Sequence, residues 1–310
     1  VNFPAEVNIV EVGPRDGLQN EEKQVATADK IRLIEHLALA GLPKIEITSF
    51  VSPKWIPQLA DGLEVAKRVQ LPSTTKTLAL VPNMKGYAPA REANLPEVAF
   101  FLSATETHSK KNINKSIAEA VSTLKEVADV ARADGKRIRC YVSVVFVCPY
   151  EGKVRPDAVA SVVARLLEIG VDEISLGDTI GAATPADVVT IVKMLSGSVD
   201  LKKLALHFHD TRGTALANVL AGLDCGVTTF DSSIGGLGGC PYAPGAAGNL
   251  ATEDLLYMLH GLGVSTGVDL EKVVDCGAMA QEILGKRLPG RYLQAALGLR
   301  ERARLTTASA

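Results

Sequence analysis

Two histidines two residues apart, His207 and His209, sit in the apolar run LALHFHD over 204–210. Side chains alternate faces along a strand, so both imidazoles project from the same side and can turn to one point. That arrangement suits a metal site; the alternative is a strand with two polar residues beside its mouth. Near the start of the chain, GPRDG over 13–17 sets Arg15 and Asp16 side by side between glycines. Asp16 can bring a carboxylate to the same ion, and Arg15 offers a guanidinium for a developing anion. Their alternative is a turn with a surface ion pair. Mixed nitrogen and oxygen donors with open positions suit Mg²⁺, Mn²⁺ or Zn²⁺, and donor type alone does not separate them.

Further candidates follow. The glycine-rich stretch GGLGGCPYAPGAAGN covers 235–249 and carries Cys240 in its middle. Such a stretch can move and lets backbone approach a ligand closely. A thiol there can give or take a proton or act as a nucleophile. Asn249, at its end, reads either as the N-cap of the next helix or as a metal ligand through its amide oxygen. Glu46 and Asp178 stand at two other strand ends, where each either holds a site residue in place or simply finishes its strand.

The elements that must gather these residues are legible as a rhythm. Short apolar, β-branched runs appear over 7–12, 44–50, 75–82, 97–104, 137–146, 172–178, 204–210 and 228–234. Between them lie amphipathic stretches, notably 28–41, 58–69, 112–135, 156–170, 184–197 and 213–226, several closed by Gly or opened by Pro. Strands without polar alternation belong to a parallel sheet covered on both faces. Eight such units in this length predict a (β/α)8 barrel over about 5–265. An open doubly wound sheet would call for a GxGxxG turn after the first strand, and GPRDG stands there instead. Two more helical patterns, within about 266–305, read as an appendage to one catalytic domain. In a barrel the chemistry lies at the C-terminal strand ends, so residues far apart in sequence meet at one mouth.

Composition sets the limits. Of 310 residues, 47% are hydrophobic and 22% charged, as in an ordinary globular chain with a sizeable core. A net charge of −2 gives no reason to expect nucleic acid or an acidic membrane surface as a partner. The most apolar run, 141–148, has the length of a strand and not of a membrane span. Five cysteines with no CxxC spacing suit a reducing compartment. With no secretory signal legible, a cytoplasmic location is expected. A homodimer is compatible with this composition.

Taken together, GPRDGLQNE, ITSFVSPKWIPQLAD, KKNINKSI, CPYEG, LGDTIGAATP, HFHDTRG and GGLGGCPYAPGAAGNLATEDL resemble the 3-hydroxy-3-methylglutaryl-CoA lyase family from about residue 7 to 290. RDG and HxHD also occur in related metal-dependent aldolases and condensing synthases. The cysteine-bearing loop is the part that separates the lyases from these. The resemblance implies cleavage of 3-hydroxy-3-methylglutaryl-CoA to acetyl-CoA and acetoacetate, a step of leucine degradation and ketone-body formation. It implies Asp16, His207, His209 and Asn249 as ligands of a divalent cation, commonly Mg²⁺ or Mn²⁺. Arg15 and Cys240 match the catalytic arginine and cysteine, while Glu46 and Asp178 match acidic residues at or near the site.

The chemistry needs such groups. A base must take the hydroxyl proton; Asp16, His207 and a metal-bound water all fit that role. Charge then grows on the thioester oxygen, where Arg15 is expected, and the enolate must be protonated, for which Cys240 is the candidate. Lys110 and Lys111, with Lys115, form a basic cluster that can meet the phosphates of an acyl-CoA or can be a solvated helix face. The alternatives are an aldolase or condensing synthase of the same barrel group, or a metal-binding barrel without catalysis.

Overall fold

The computed structural model describes residues 3–239 and 248–308. Eight parallel strands close on themselves in sequence order. They are β1 (Asn8–Glu11), β2 (Lys44–Ser49), β3 (Lys76–Leu80), β4 (Glu97–Ser103), β5 (Arg137–Ser143), β6 (Glu173–Asp178), β7 (Leu204–Phe208) and β8 (Thr229–Ser232). β1 pairs with both β2 and β8, which completes the (β/α)8 barrel expected from the repeating pattern. Helices α1 (Thr27–Leu39), α2 (Gly62–Arg68), α3 (Met84–Glu92), α4 (Glu106–Ile113), α5 (Ile117–Ala133), α6 (Pro156–Glu168), α7 (Pro185–Leu195) and α8 (Ala215–Asp224) stand in the connections. α9 (Thr252–Gly261), α10 (Leu270–Leu284) and α11 (Arg291–Ala308) follow β8, and α10 packs on α1. Among the described residues no helix is long and apolar enough to cross a membrane.

One helical expectation needs correction, and one helix was missed. The stretch 112–135 is two helices, because Asn114 takes a left-handed φ of 53° and ends α4. Ser116 and Glu119 then start α5 with a reciprocal capping box. α3 was not legible as a helix, since it contains Gly86 and Pro89. It starts where the Asn83 side chain accepts a hydrogen bond from the Gly86 N–H.

The main apolar core lies between barrel and helices, with Ile9, Ile45, Phe100 and Phe230 fully buried there. Inside the barrel, a small apolar group of Val10, Val12, Leu78, Leu80, Ala99 and Tyr141 shares the space with charged side chains. Lys44 bonds Glu97 at 3.0 Å and Glu173 at 3.1 Å. Arg139, fully buried, reaches Glu173 at 3.1 Å and Asp231 at 2.5 Å. Parallel register puts Asp231 beside His207, so this network rises directly to the mouth.

Removing one member of a buried ion pair leaves an uncompensated charge, at a cost of about 3–5 kcal/mol. Arg139→Met is therefore expected to lower stability by about that much. A shift of the urea midpoint checks it; a midpoint within error of the parent would remove the network from the barrel's support.

Candidate metal centre and active site

After β1 the chain turns at once. Gly13–Gly17 forms a single π-helical turn, with the Leu18 N–H donating to the Gly13 carbonyl at 2.9 Å. The wide turn holds Arg15 and Asp16 over the barrel mouth. Arg15 is clamped from two sides: Nε donates to Glu46 Oε2 and Nη1 to Asp16 Oδ1, both at 2.7 Å. Tyr141 supports it from β5. The Arg15 guanidinium carbon lies 5.2 Å from the Tyr141 ring centre, and the Tyr141 hydroxyl donates to Glu46 at 2.9 Å. On the same ring, Arg139 sits 5.0 Å from the centre, so the phenol contacts two guanidinium groups.

β7 brings the histidines. Their rings lie 5.4 Å apart between centroids, and His207 Nε2 is 3.9 Å from Asp16 Oδ2. His207 Nδ1 is 3.2 Å from Asp231 Oδ2, which also accepts from Ser175 Oγ at 2.7 Å. Asp231 thus fixes the ring so that Nε2 faces the mouth, as a carboxylate behind a ligating histidine does. Burial works against charge on His207, but the Asp231 hydrogen bond and charge outweigh it and raise its pKa. Burial and the His207 charge pull His209 down to about 4, leaving it a neutral donor. Burial alone would raise Asp16; Arg15, the two imidazoles and Asn249 outweigh it and hold the carboxyl at about 2.

Asn249 reaches the same place by an extended segment. His209 and Asn249 are opposed in antiparallel fashion, and the Leu250 N–H donates to the Phe208 carbonyl at 3.0 Å. Asn249 is therefore not a helix cap: Ala251 precedes α9, and the Asn249 amide donates to Asp16 Oδ2 at 2.8 Å and the Leu237 carbonyl at 3.0 Å.

Asp16, His207 and His209 each offer a donor atom within 4.8 Å of the others. His209 Nδ1 and Asn249 Oδ1 are buried without a hydrogen-bond partner. Buried acceptors without partners are costly, and a cation is what such oxygen and nitrogen donors satisfy. The residues fit a divalent metal ion. The site opens on a cavity of about 700 Å³, whose walls include Arg15, Tyr141, His207, Trp55 and Lys111.

Other expected residues fall differently. Glu46 is fully buried behind Arg15, with burial pushing its carboxyl up against the pull of that guanidinium. Asp178 spends both oxygens on the Ala182 and Ala183 N–H groups, at 2.9 and 3.0 Å, and so finishes its strand by capping the next turn. Lys111 and Lys115 line the cavity, whereas Lys110 is exposed beside it on α4. Cys240 lies outside the described residues.

A second set of carboxylates, not foreseen from the sequence, ties the first and last barrel loops together. Glu11 accepts from the Gly13 and Ile234 N–H groups, both at 2.8 Å, and from Thr252 Oγ1 at 2.6 Å. Glu253 accepts from the Gly235 N–H at 2.8 Å. The segment bearing Arg15 and Asp16 is thereby bonded to the root of the glycine-rich loop.

The profile of the HMGL-like family matches residues 6–279. The chain belongs to the HMGL-like family. It is 51% identical over 292 residues to a hydroxymethylglutaryl-CoA lyase of Bacillus subtilis, covering 94% of this chain and 98% of that one. The crystal structure of the B. subtilis HMG-CoA lyase superposes with a TM-score of 0.94 at 50% identity, over 95% of this chain and 99% of that one. An Acinetobacter HMG-CoA lyase in complex with coenzyme A and 3-methylmalate has a TM-score of 0.91 at 39% identity, over 95% and 96% of the two chains. In this HMGL-like chain the clustered residues 15, 16, 207, 209 and 249 come from opposite ends of the sequence, and barrel closure is what joins them.

Two outcomes follow from this geometry. Asp231→Asn takes the negative charge from behind His207, and Mn²⁺ affinity should fall about 10–100-fold; a titration with unchanged affinity contradicts the role. Burial raises Glu253 to about 8 and Glu11 to about 7, from an ordinary value of 4.5. Between pH 4.5 and 8 the unfolded chain has released the Glu253 proton while the folded chain keeps it, so stability falls as pH rises across that window. Glu253→Gln should flatten this slope in melting temperatures measured from pH 5 to 8, and an unchanged slope would sink the assignment.

Proposed function

We propose that this chain cleaves 3-hydroxy-3-methylglutaryl-CoA to acetyl-CoA and acetoacetate. The observation that carries the reading is one constellation at the rim of a cavity: a three-donor cluster of Asp16, His207 and His209, with the Arg15 guanidinium bonded to Asp16. Identity of about half over nearly the full length to a hydroxymethylglutaryl-CoA lyase supports it.

Asp16, His207, His209 and Asn249 would hold the cation, Mg²⁺ or Mn²⁺. When bound, it lowers the cost of ionising the substrate's tertiary hydroxyl and orients the oxygens around it. The remaining work belongs to side chains. The hydroxyl proton leaves to a base at the mouth, for which Asp16 and His207 are the candidate side chains. The C–C bonding pair then passes to the departing acetyl-CoA as an enolate, while the alkoxide carbon becomes the ketone of acetoacetate. Negative charge collects on the thioester oxygen, and Arg15 is the cation held ready for it. Its clamp between Glu46 and Asp16 fixes its direction before the charge appears, which is what makes such a donor effective. Cys240 donates the proton that turns the enolate into acetyl-CoA.

Lys111, with Lys110 on the same helix and Lys115 nearby, meets the coenzyme A phosphates. Trp55, 83% exposed on the cavity wall, offers a face for the adenine or the pantetheine arm. The cytoplasm is the compartment that suits five cysteines without a CxxC pair.

Acetoacetate release from the thioester, assayed after chelation and again with Mg²⁺ or Mn²⁺ restored, tests the reading. Activity is expected only with metal. Arg15→Gln should lower kcat about 10²–10³-fold with Mn²⁺ still bound. No release of acetoacetate by the parent chain under any metal would overturn the proposal, and a near-normal kcat for the variant would remove Arg15 from it.

A further inference from the structure

The C-terminal helices pack where they bear on the metal cluster. Arg291, the first residue of α11, donates through Nη1 to Asp210 Oδ2 at 2.7 Å. Asp210 directly follows His209. Its other oxygen accepts from the Ala215 N–H at 3.1 Å, and its own N–H donates to the Gly248 carbonyl at 2.9 Å. That last bond, with the one from the Leu250 N–H to the Phe208 carbonyl, makes the short ladder that sets Asn249 opposite His209.

The same tail segment grips the loop's other root. The Gly290 N–H donates to the Gly235 carbonyl at 2.9 Å. A side-chain carbon at Gly290 would stand 3.3 Å from both Ala251 Cβ and the Gly235 carbonyl, so the two backbones touch. Leu288 packs over Gly235, and Pro289 over Gly236. Asp254, in the first turn of α9, accepts from the Arg291 and Tyr292 N–H groups at 3.1 and 2.6 Å. Residues 288–292 thus bond both to the segment leaving β8 and, through Asp210, to the segment that returns with Asn249.

We infer that residues 288–292 are a clasp that positions the Asn249 arm of the metal centre against His209, with Arg291 as its positioning residue. The physical reason lies in how few backbone bonds hold that arm, beside the Asn249 side-chain bonds to Asp16 and Leu237. Gly248–Ala251 has no helix or full strand of its own; it is an extended segment wedged between the ends of β7 and β8. The Ser233 N–H donates to the Leu250 carbonyl at 2.9 Å on one side, and the Asp210 and Leu250 N–H bonds lie on the other. Arg291 fixes the Asp210 side chain, and Asp210 is the residue through which Gly248 is tied. Loosening Asp210 frees the residue next to one proposed ligand and the backbone next to another.

The inference rests on the metal centre proposed above, and it does not require the thioester chemistry. Simple electrostatics and positioning predict opposite signs. Removing the Arg291 positive charge leaves the Asp210 carboxylate uncompensated, which by Coulomb attraction alone would tighten cation binding. Loss of the clasp weakens it. Arg291→Ala should weaken Mn²⁺ binding about threefold to tenfold, less than loss of a carboxylate directly behind a ligand, and Arg291→Lys should recover most of it. Amide hydrogen exchange in the metal-free full chain should speed up at residues 248–250 in Arg291→Ala, with core strands unchanged. Arg291 is largely exposed, so the variant keeps the apolar core intact. Equal or tighter Mn²⁺ binding together with unchanged exchange at 248–250 would overturn the clasp. A parent chain that binds no Mn²⁺ would count against the metal centre instead, and the exchange comparison would still decide the clasp.

Discussion

A charge enclosed by a barrel persists only where it is paired, and here the pairing is continuous from barrel interior to mouth. Lys44 neutralises Glu97 and Glu173, Arg139 joins Glu173 to Asp231, and Asp231 holds His207. Above Tyr141 a second group begins: Glu46, Arg15 and Asp16, bonded in that order. Tyr141 links the two, with the guanidinium groups of Arg15 and Arg139 both against its ring. Direction at the mouth is thus inherited from the interior. An imidazole held by Asp231 cannot turn its Nε2 elsewhere without breaking a bond to a carboxylate that is itself fixed by Arg139 and Ser175.

This explains why Arg15 can be both rigid and available. A guanidinium in water would satisfy its donors with solvent and would have to reorient as charge developed. Here two edges are already bonded to carboxylates, and those bonds fix the plane of the group. Its positive charge is secure as well, since the carboxylates beside it raise its pKa despite burial. The cation site has the same character. Asp16 ionises easily and His209 resists protonation, the forms in which a carboxylate and an imidazole can bind a metal, whereas Asp231 raises His207 and favours its proton.

Legibility in the sequence divides along physical lines. Parallel strands buried on both faces are mostly short apolar, β-branched runs, so all eight strands and their order could be read directly. His207 and His209 could be read because a two-residue spacing has a fixed meaning in a strand, and Arg15 and Asp16 because glycines flank them at a strand end. The helix over 84–92 was hidden, since Pro89 and Gly86 are the residues that usually exclude one. The break at Asn114 had local marks, an Asn that readily turns left-handed and the Ser116-x-x-Glu119 capping signal after it, but the amphipathic pattern runs across them without a gap. Partners across the barrel were the hardest. Arg139 and Asp231 are 92 residues apart, and Glu11 and Thr252 are 241 apart. Such pairs depend on register, which local pattern does not contain. Asn249 shows the same limit from another side: at a loop end before a helix, capping is the ordinary expectation, and only the ladder to β7 turns its side chain to Asp16.

Barrel closure has one more consequence for how the site is held. β1 and β8 are neighbours in space, so the loops after them are neighbours as well, and any group between them can serve both. Glu11 does this with backbone N–H groups of both loops, while Glu253 holds the root of the last loop through the Gly235 N–H. Carboxylates in that position carry a charge poorly, because few cations reach them and burial raises both groups toward or above neutrality. Protonated, each still accepts N–H bonds through an oxygen lone pair, so the tie between the loops does not depend on charge. The mouth is therefore supported in two different ways. Ion pairs hold the groups that must be charged, and nearly neutral hydrogen bonds hold the backbone around them, which keeps stray negative charge away from the guanidinium and the cation site.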